Sequence, residues 1–242
     1  MSKGIWVAIP CYTGMVSCET VLAANREMYA AFSKGYRYEV QFYQQNPIIS
    51  YARNFLVREF LKSDFSDMVF LDSDVGFEPG TLCRLAEYPV DIVGAAYPYR
   101  NESGAFPIRY IEERTELVAD PETGLLEVAG MPAGCLRISR SVLEKMAAAH
   151  PELLYKDQNG NDTYSFFEFT RDKGQFFGED WAFCNLARAD GHKVFCEVNN
   201  DMTHTGTKVF KGNLQNHLLA RTDPDLAMEN IMAFVERNKV AA

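Results

Sequence analysis

Asp72-Ser73-Asp74 stands directly after the apolar run Met68-Val69-Phe70-Leu71, so two carboxylates emerge where a buried strand ends. Side chains at i and i+2 of a strand point to the same side, and two carboxylates so placed repel one another unless a cation joins them. Hard oxygens in this arrangement suit Mg2+ or Mn2+ carrying a diphosphate. A second acidic pair, Glu179-Asp180, follows Phe176-Phe177-Gly178 and opens a helical pattern, where helix-end N–H groups favour an ionised carboxylate. The plainer role for Asp180 is a helix cap. Arg53 offers a guanidinium that pairs with phosphate or carboxylate, or serves as a surface charge on an amphipathic helix. Tyr97-Pro98-Tyr99-Arg100 brings an aromatic wall and a cation, and Lys208 and Lys211 bring two more, although lysines on a surface loop are commonplace.

The elements that must position these groups alternate in period. Ile5 to Ile9, Tyr38 to Tyr43, Met68 to Leu71, Asp91 to Ala95 and Val194 to Val198 read as strands. Thr20 to Phe32, Tyr51 to Leu61, Pro79 to Ala86 and Asp180 to Ala189 read as helices. Such alternation predicts an α/β fold, a mostly parallel sheet with helices on both faces, whose ligands bind beyond the carboxyl ends of the strands. Pro10, Cys11, Tyr12 and Thr13 follow the first strand and therefore stand where a site is expected. Pro107 to Val128 reads as a hairpin excursion, Pro132 to Ser139 as a strand, and Ser141-x-x-Glu144 as a capping box opening a helix to Ala149. Tyr155 to Phe177 reads as a turn at Asn159-Gly160 and then an aromatic loop, with a C-terminal helix from Asp223-Pro224 to about Arg237.

The run Ser50-Tyr51-Ala52-Arg53-Asn54, followed by Val69-Phe70-Leu71-Asp72-Ser73-Asp74, resembles the A-R-N and hydrophobic-D-x-D pattern of GT-A-fold glycosyltransferases. Gly130-Met131-Pro132-Ala133-Gly134-Cys135-Leu136-Arg137, Phe177-Gly178-Glu179-Asp180-Trp181 and Asp201-Met202-Thr203-His204-Thr205-Gly206 are similar to later segments of the small phage and bacterial members. The resemblance implies a GT-A (Rossmann-like) domain over 1–206 with a smaller antiparallel excursion; residues 207–242, which it does not cover, are expected as a C-terminal tail and helix packed on the same domain. It implies a nucleotide-diphosphate sugar donor and Mn2+ or Mg2+ as cofactor. Pro10, Cys11, Tyr12 and Thr13 would receive base and ribose, Arg53 would approach the donor nucleotide, Asp72 would face ribose or metal, and Ser73 would bind the donor. Asp74 and His204 would bind the metal, although a lone His also serves structure. Tyr97, Arg100 and Lys208 would stand beside the diphosphate, and Gly134 would let the backbone pass close to the sugar. In inverting members the Asp of the E-D pair resembles a general base, which makes Asp180 the candidate and Glu179 the runner-up.

The 242 residues, 47% hydrophobic and 24% charged, suffice for a real core. A net charge of −9 gives no general attraction to phosphate backbones or anionic lipid. No stretch approaches the roughly 20 apolar residues of a membrane helix, and the N-terminus is too short for a signal-peptide core, so a cytoplasmic location is expected. The six cysteines form no C-x-x-C pair and read as reduced, buried thiols. Acceptors left open are a saccharide or glycoconjugate, favoured, and a hydroxymethylated base in DNA, for which Lys156, Arg171 and Lys173 flank the aromatic loop. Tyr164, Phe166 and Phe167 are the rings expected to cover it. Haloacid-dehalogenase phosphatases put D-x-D after the first strand, not the third, and nucleotidyltransferases carry a Gly/Arg-rich loop where this sequence has Pro10-Cys11-Tyr12-Thr13. A non-catalytic sugar-nucleotide-binding protein would keep the aromatic loop without needing the E-D pair. Oligomeric state, donor identity and stereochemical outcome stay open.

Overall fold

The computed structural model describes residues 3–113, 116–172, 174–223, 225–226, 228–230 and 232. In chain order the elements are β1 (Gly4–Cys11), α1 (Cys18–Ser33), β2 (Arg37–Gln44), α2 (Ile49–Lys62), β3 (Asp67–Leu71), β4 (Val75–Phe77), α3 (Thr81–Glu87) and β5 (Ile92–Ala95). There follow β6 (Leu126–Val128), β7 (Cys135–Ser139), α4 (Arg140–Ala149), β8 (Leu154–Lys156), β9 (Asp162–Tyr164), β10 (Thr170–Asp172) and β11 (Gln175–Phe177). The last are α5 (Glu179–Ala189), β12 (Val194–Glu197), β13 (Met202–Thr205), β14 (Val209–Gly212) and α6 (Leu214–Thr222).

A seven-stranded sheet in the order β2-β1-β3-β7-β5-β12-β6 forms the centre. β1 pairs in parallel with β2 and β3, and β12 with β5, whereas β7 and β6 run antiparallel to their neighbours. The near-continuous apolar runs of β1 and β3 follow from cover on both faces. On one face Trp6, Ala8, Met68 and Phe70 pack under Leu56 and Phe60 of α2, Leu143 of α4 and Phe183 of α5. On the other, Ile5, Val7, Ile9, Val69 and Leu71 pack under Ala23 and Ala31 of α1 and Leu82 and Leu85 of α3. Successive strand residues alternate between these two layers, which fixes the register of β1 and β3 and sends Asp72 out at a defined point. Among the described residues no helix is long and apolar enough to cross a membrane.

Several local expectations change. Within 107–128, among the described residues, the antiparallel bridge Ala119–Leu126 closes a turn at 120–125, while 126–128 join the central sheet as its edge strand and a second bridge links Arg109 to Gly130. The capping box at Ser141 is not made, because α4 follows β7 without a loop and Ser139 turns its hydroxyl to Asp91 (2.9 Å). Asp223 does accept the Leu226 N–H (3.1 Å), but Pro224, Ala227, Ile231 and 233–237 of the expected C-terminal helix lie outside the described residues. So does Lys173.

The aromatic loop divides. Phe166 and Phe167 are core residues, 1% and 0% exposed, the latter stacked on Phe183 at 4.4 Å, so they cover no acceptor. Tyr164 stacks on Phe166 and is partly buried. What holds this segment down is Asn54 of α2, 0% exposed, whose Oδ1 accepts the Phe167 N–H (2.8 Å) and whose amide donates to the Phe167 carbonyl (3.2 Å). Asn54→Ala leaves both backbone groups unpaired in the interior, each costing about 1–3 kcal/mol. A lower denaturation midpoint at unchanged m-value is the expected result, and an unchanged midpoint would show that 165–168 holds without Asn54.

Candidate functional site

Beyond the carboxyl ends of β1 and β3 lies a cavity of about 360 Å3, lined by Pro10, Cys11, Tyr12, Asn46, Arg53, Asp72, Ser73, Asp74, Tyr97, Glu179 and Asp180 among others. Five separate stretches of chain thus meet where the fold predicts a site. Thr13 is exposed and makes only a local contact, its hydroxyl accepting the Met15 N–H (3.3 Å). Lys208 pairs with Glu102 (2.5 Å), also outside the cavity lining.

Arg53 is 3% exposed and ties the floor together. Its Nε donates to Glu179 Oε1 (3.0 Å), its Nη2 to Asp72 Oδ1 (3.0 Å) and its Nη1 to the Ala133 carbonyl (3.3 Å). Burial works against the charge, yet Asp72, Glu179 and Asp180 hold its pKa above that of an ordinary arginine. The expected free cation is therefore a buried tie between β3 and α5, and its neighbour Asn54 ties the 165–168 segment. The A-R-N triplet is in this sense an assembly device.

Asp72 Oδ2 faces the Tyr97 hydroxyl (3.4 Å), whose own pKa is driven well up by burial and then by Asp72. Gly134 passes directly beneath: its carbonyl accepts the Asp72 N–H (3.0 Å), and a Cβ there would stand 2.6 Å from Asp72 Oδ2 and collide with the Tyr97 hydroxyl. The close approach that requires glycine is thus to Asp72 and Tyr97.

Asp74 and His204 meet through a small sheet of order β14-β13-β4, in which His204 sits opposite Val75 and the Thr205 N–H donates to the Asp74 carbonyl (2.8 Å). His204 Nδ1 lies 2.8 Å from the Pro98 carbonyl and Nε2 3.5 Å from Asp74 Oδ1. Arg100 donates to the other oxygen, Asp74 Oδ2 (2.6 Å). Among the described residues no three His, Cys, Asp or Glu side chains converge as a metal-binding group, since Asp72 is turned to Arg53 and Tyr97.

Glu179 and Asp180 occupy the first turn of α5, with Gly178 as the residue that caps it. Asp180 Oδ1 accepts the Trp181 N–H (2.7 Å). Burial first, and then the Glu179 carboxylate, push its carboxyl up to about 6, against the pull of Arg53 and the Trp181 N–H. A carboxyl poised near neutrality in a cavity fits proton transfer. Asn46, from the turn after β2, lines the same cavity. Its neighbour Gln45 takes a φ of +61°; no feature of the sequence there marks either one as functional.

No family model and no curated protein matches the sequence. Solved structures do. The crystal structure of A197 from STIV aligns with a TM-score of 0.51 and 16% identity, covering 87% of this chain and 94% of that one. The two share a fold. A second crystal structure, of a glycosyltransferase involved in the glycosylation of the major capsid of PBCV-1, aligns over 60% of this chain and 66% of that one at a TM-score of 0.30 and 10% identity. That likeness is too remote to bear on function.

Proposed function

We propose that the protein is a glycosyltransferase that moves a sugar from a nucleotide-diphosphate sugar to a hydroxyl acceptor, with Asp180 as general base. The observation that carries this reading is the cavity in which Asp180, its carboxyl at about 6, faces the Asp72-Ser73-Asp74 turn at the end of a central strand. The resemblance of Asp72-Ser73-Asp74 and Glu179-Asp180 to GT-A motifs supports it from the sequence side. In this reading Asp180 removes the acceptor proton as the anomeric carbon is attacked, Tyr12 and Asn46 border the nucleotide, and Arg100 swings from Asp74 to the diphosphate. Glu179, engaged by Arg53, stands beside Asp180 and raises the pKa of that carboxyl.

Asp74 and His204 fit a divalent cation. The Pro98 carbonyl only accepts, so His204 Nδ1 carries the hydrogen between them, and Nε2 is the ring nitrogen that faces Asp74 Oδ1. A carboxylate oxygen and an imidazole nitrogen facing one another suit a cation between them. Mg2+ commonly takes one or two protein ligands and completes its shell with substrate phosphates and water, so a three-ligand protein cage is not required. Bound there, Mg2+ or Mn2+ supplies charge neutralisation for the departing diphosphate.

A thermal-shift screen of nucleoside diphosphates and their sugars with Mn2+ tests the reading, because a ligand at 100 times its Kd stabilises by about 2.7 kcal/mol. Asp74→Asn and His204→Ala are expected to lose the Mn2+-dependent part of that shift together. An unchanged Mn2+-dependent shift in both variants overturns the assignment of these two as ligands.

A further inference from the structure

Phe169 and Phe176 are 46% and 63% exposed, and their rings stack on each other with centroids 5.6 Å apart and planes 15° from parallel. Phe176 belongs to β11 and Phe169 directly precedes β10 of the β10–β11 hairpin, which stands outside the central sheet and runs directly into α5. In its register Thr170 pairs with Phe177 and Arg171 with Phe176, so one face carries Thr170, Asp172, Gln175 and Phe177. Phe177 on that face is 5% exposed and lies under Arg109, its ring centroid 4.8 Å from the guanidinium carbon. The opposite face carries Arg171 and Phe176, and continuing the register by one residue sets Phe169 opposite Gly178.

Gly178 is extended (φ −62°, ψ 164°), so alternation carries through it and a side chain there would share the face of Phe176. A Cβ built on Gly178 would lie 3.2 Å from Asp180 Oδ1. The candidate base therefore occupies the space that a side chain at 178 would fill, on the same face as the two exposed rings. Two solvent-facing aromatics stacked on each other, on a hairpin that leads directly into the helix carrying Asp180, form an exposed apolar patch of the kind that marks a binding surface.

We propose that this face is the acceptor subsite, taking the C–H face of a pyranose ring of a saccharide acceptor on an outer face of the Phe169–Phe176 pair and turning one hydroxyl towards Asp180. It rests on the glycosyltransferase reading above and adds the acceptor class to it. Charge selects the occupant: the chain carries −9 overall and the hairpin leads into Glu179 and Asp180, which outnumber Arg171 on the face of the rings, so a polyanionic strand is disfavoured there. An uncharged sugar has an apolar face for the rings and peripheral hydroxyls for Arg171.

Saturation-transfer NMR with the full chain and methyl pyranosides of glucose, galactose and mannose decides the matter without a donor. Irradiating aromatic protons is expected to transfer saturation to C–H protons on one ring face of at least one pyranoside. In Phe169→Ala/Phe176→Ala that transfer is expected to fall at least about fivefold, while the shift given by a nucleoside diphosphate with Mn2+ stays as in wild type. Both rings are exposed, so the variant is expected to fold. Gly178→Ala, which presses on Asp180, is expected to keep the saccharide signal and lose turnover. Equal transfer in wild type and double variant, no transfer from any pyranoside, or binding only of a single-stranded DNA dodecamer at this face each overturns the subsite. Loss of the nucleoside diphosphate shift in wild type speaks against the glycosyltransferase reading, and leaves the pyranoside result to decide the aromatic face on its own.

Discussion

Asp180→Asn is expected to lower turnover by a factor of about 10²–10⁴, the worth of a general base, with nucleoside diphosphate affinity changed by less than about twofold. The amide keeps the shape and the capacity to accept the Trp181 N–H but cannot take a proton. In wild type the rate is expected to fall on the acid side of about pH 6, where the carboxyl protonates, and to level off above it. Stability runs the other way. The folded-state pKa lies above the unfolded value, so between about pH 4 and 6 the folded chain binds more protons and its stability declines as pH rises. At neutral pH an ionised Asp180 costs about 1–2 kcal/mol after screening at its partly exposed side. Asp180→Asn removes that cost and is expected to raise the melting temperature by about 2–8 °C. A variant that is inactive yet more stable distinguishes a catalytic carboxyl from a structural cap. A variant with wild-type turnover moves the base to Glu179 or argues for a retaining mechanism.

Arg53→Met carries the largest expected loss of stability. It removes one partner of two ion pairs in which the arginine side chain is 4% exposed, leaving Glu179 and Asp72 without their shared cation. Breaking a buried pair from one side costs about 3–5 kcal/mol, which corresponds to a fall of about 6–20 °C in a domain of this size. Because Arg53 also holds the Asp180 carboxyl down, the acid limb of the pH–rate profile is expected to move to higher pH. Arg53→Lys keeps the charge but not the three-way fork, and is expected to lie between wild type and Arg53→Met in both measurements. A melting temperature within about 2 °C of wild type in Arg53→Met contradicts the role of a tie.

The layers of the fold were legible because β1 and β3 are short apolar runs between helix-period segments, and burial on both faces leaves few other readings. The D-x-D turn and the E-D pair were legible for a related reason: acidic residues at the edge of an apolar element stand out. What was not legible depended on contacts distant in sequence. β4 is Val75-Gly76-Phe77, too short to show a period, and β13 is Met202-Thr203-His204-Thr205, with no apolar alternation, yet their pairing is what sets His204 beside Asp74. Arg53 read as a donor ligand because a sequence shows a guanidinium but not the Glu179 and Asp72 that use it. Phe166 and Phe167 read as acceptor cover, whereas the exposed rings are Phe169 and Phe176; the strand alternation that separates them begins only at Thr170.

The central claim is transfer of a sugar from a nucleotide diphosphate, and 31P NMR of nucleotide sugars incubated with the protein, Mn2+ and a methyl pyranoside tests it most directly. One donor is expected to yield nucleoside diphosphate together with an equal amount of glycosylated pyranoside in wild type, with both signals nearly absent in Asp180→Asn. Donors that remain intact throughout, in a protein that is nonetheless stabilised by nucleoside diphosphate, would contradict it and make this a binding protein.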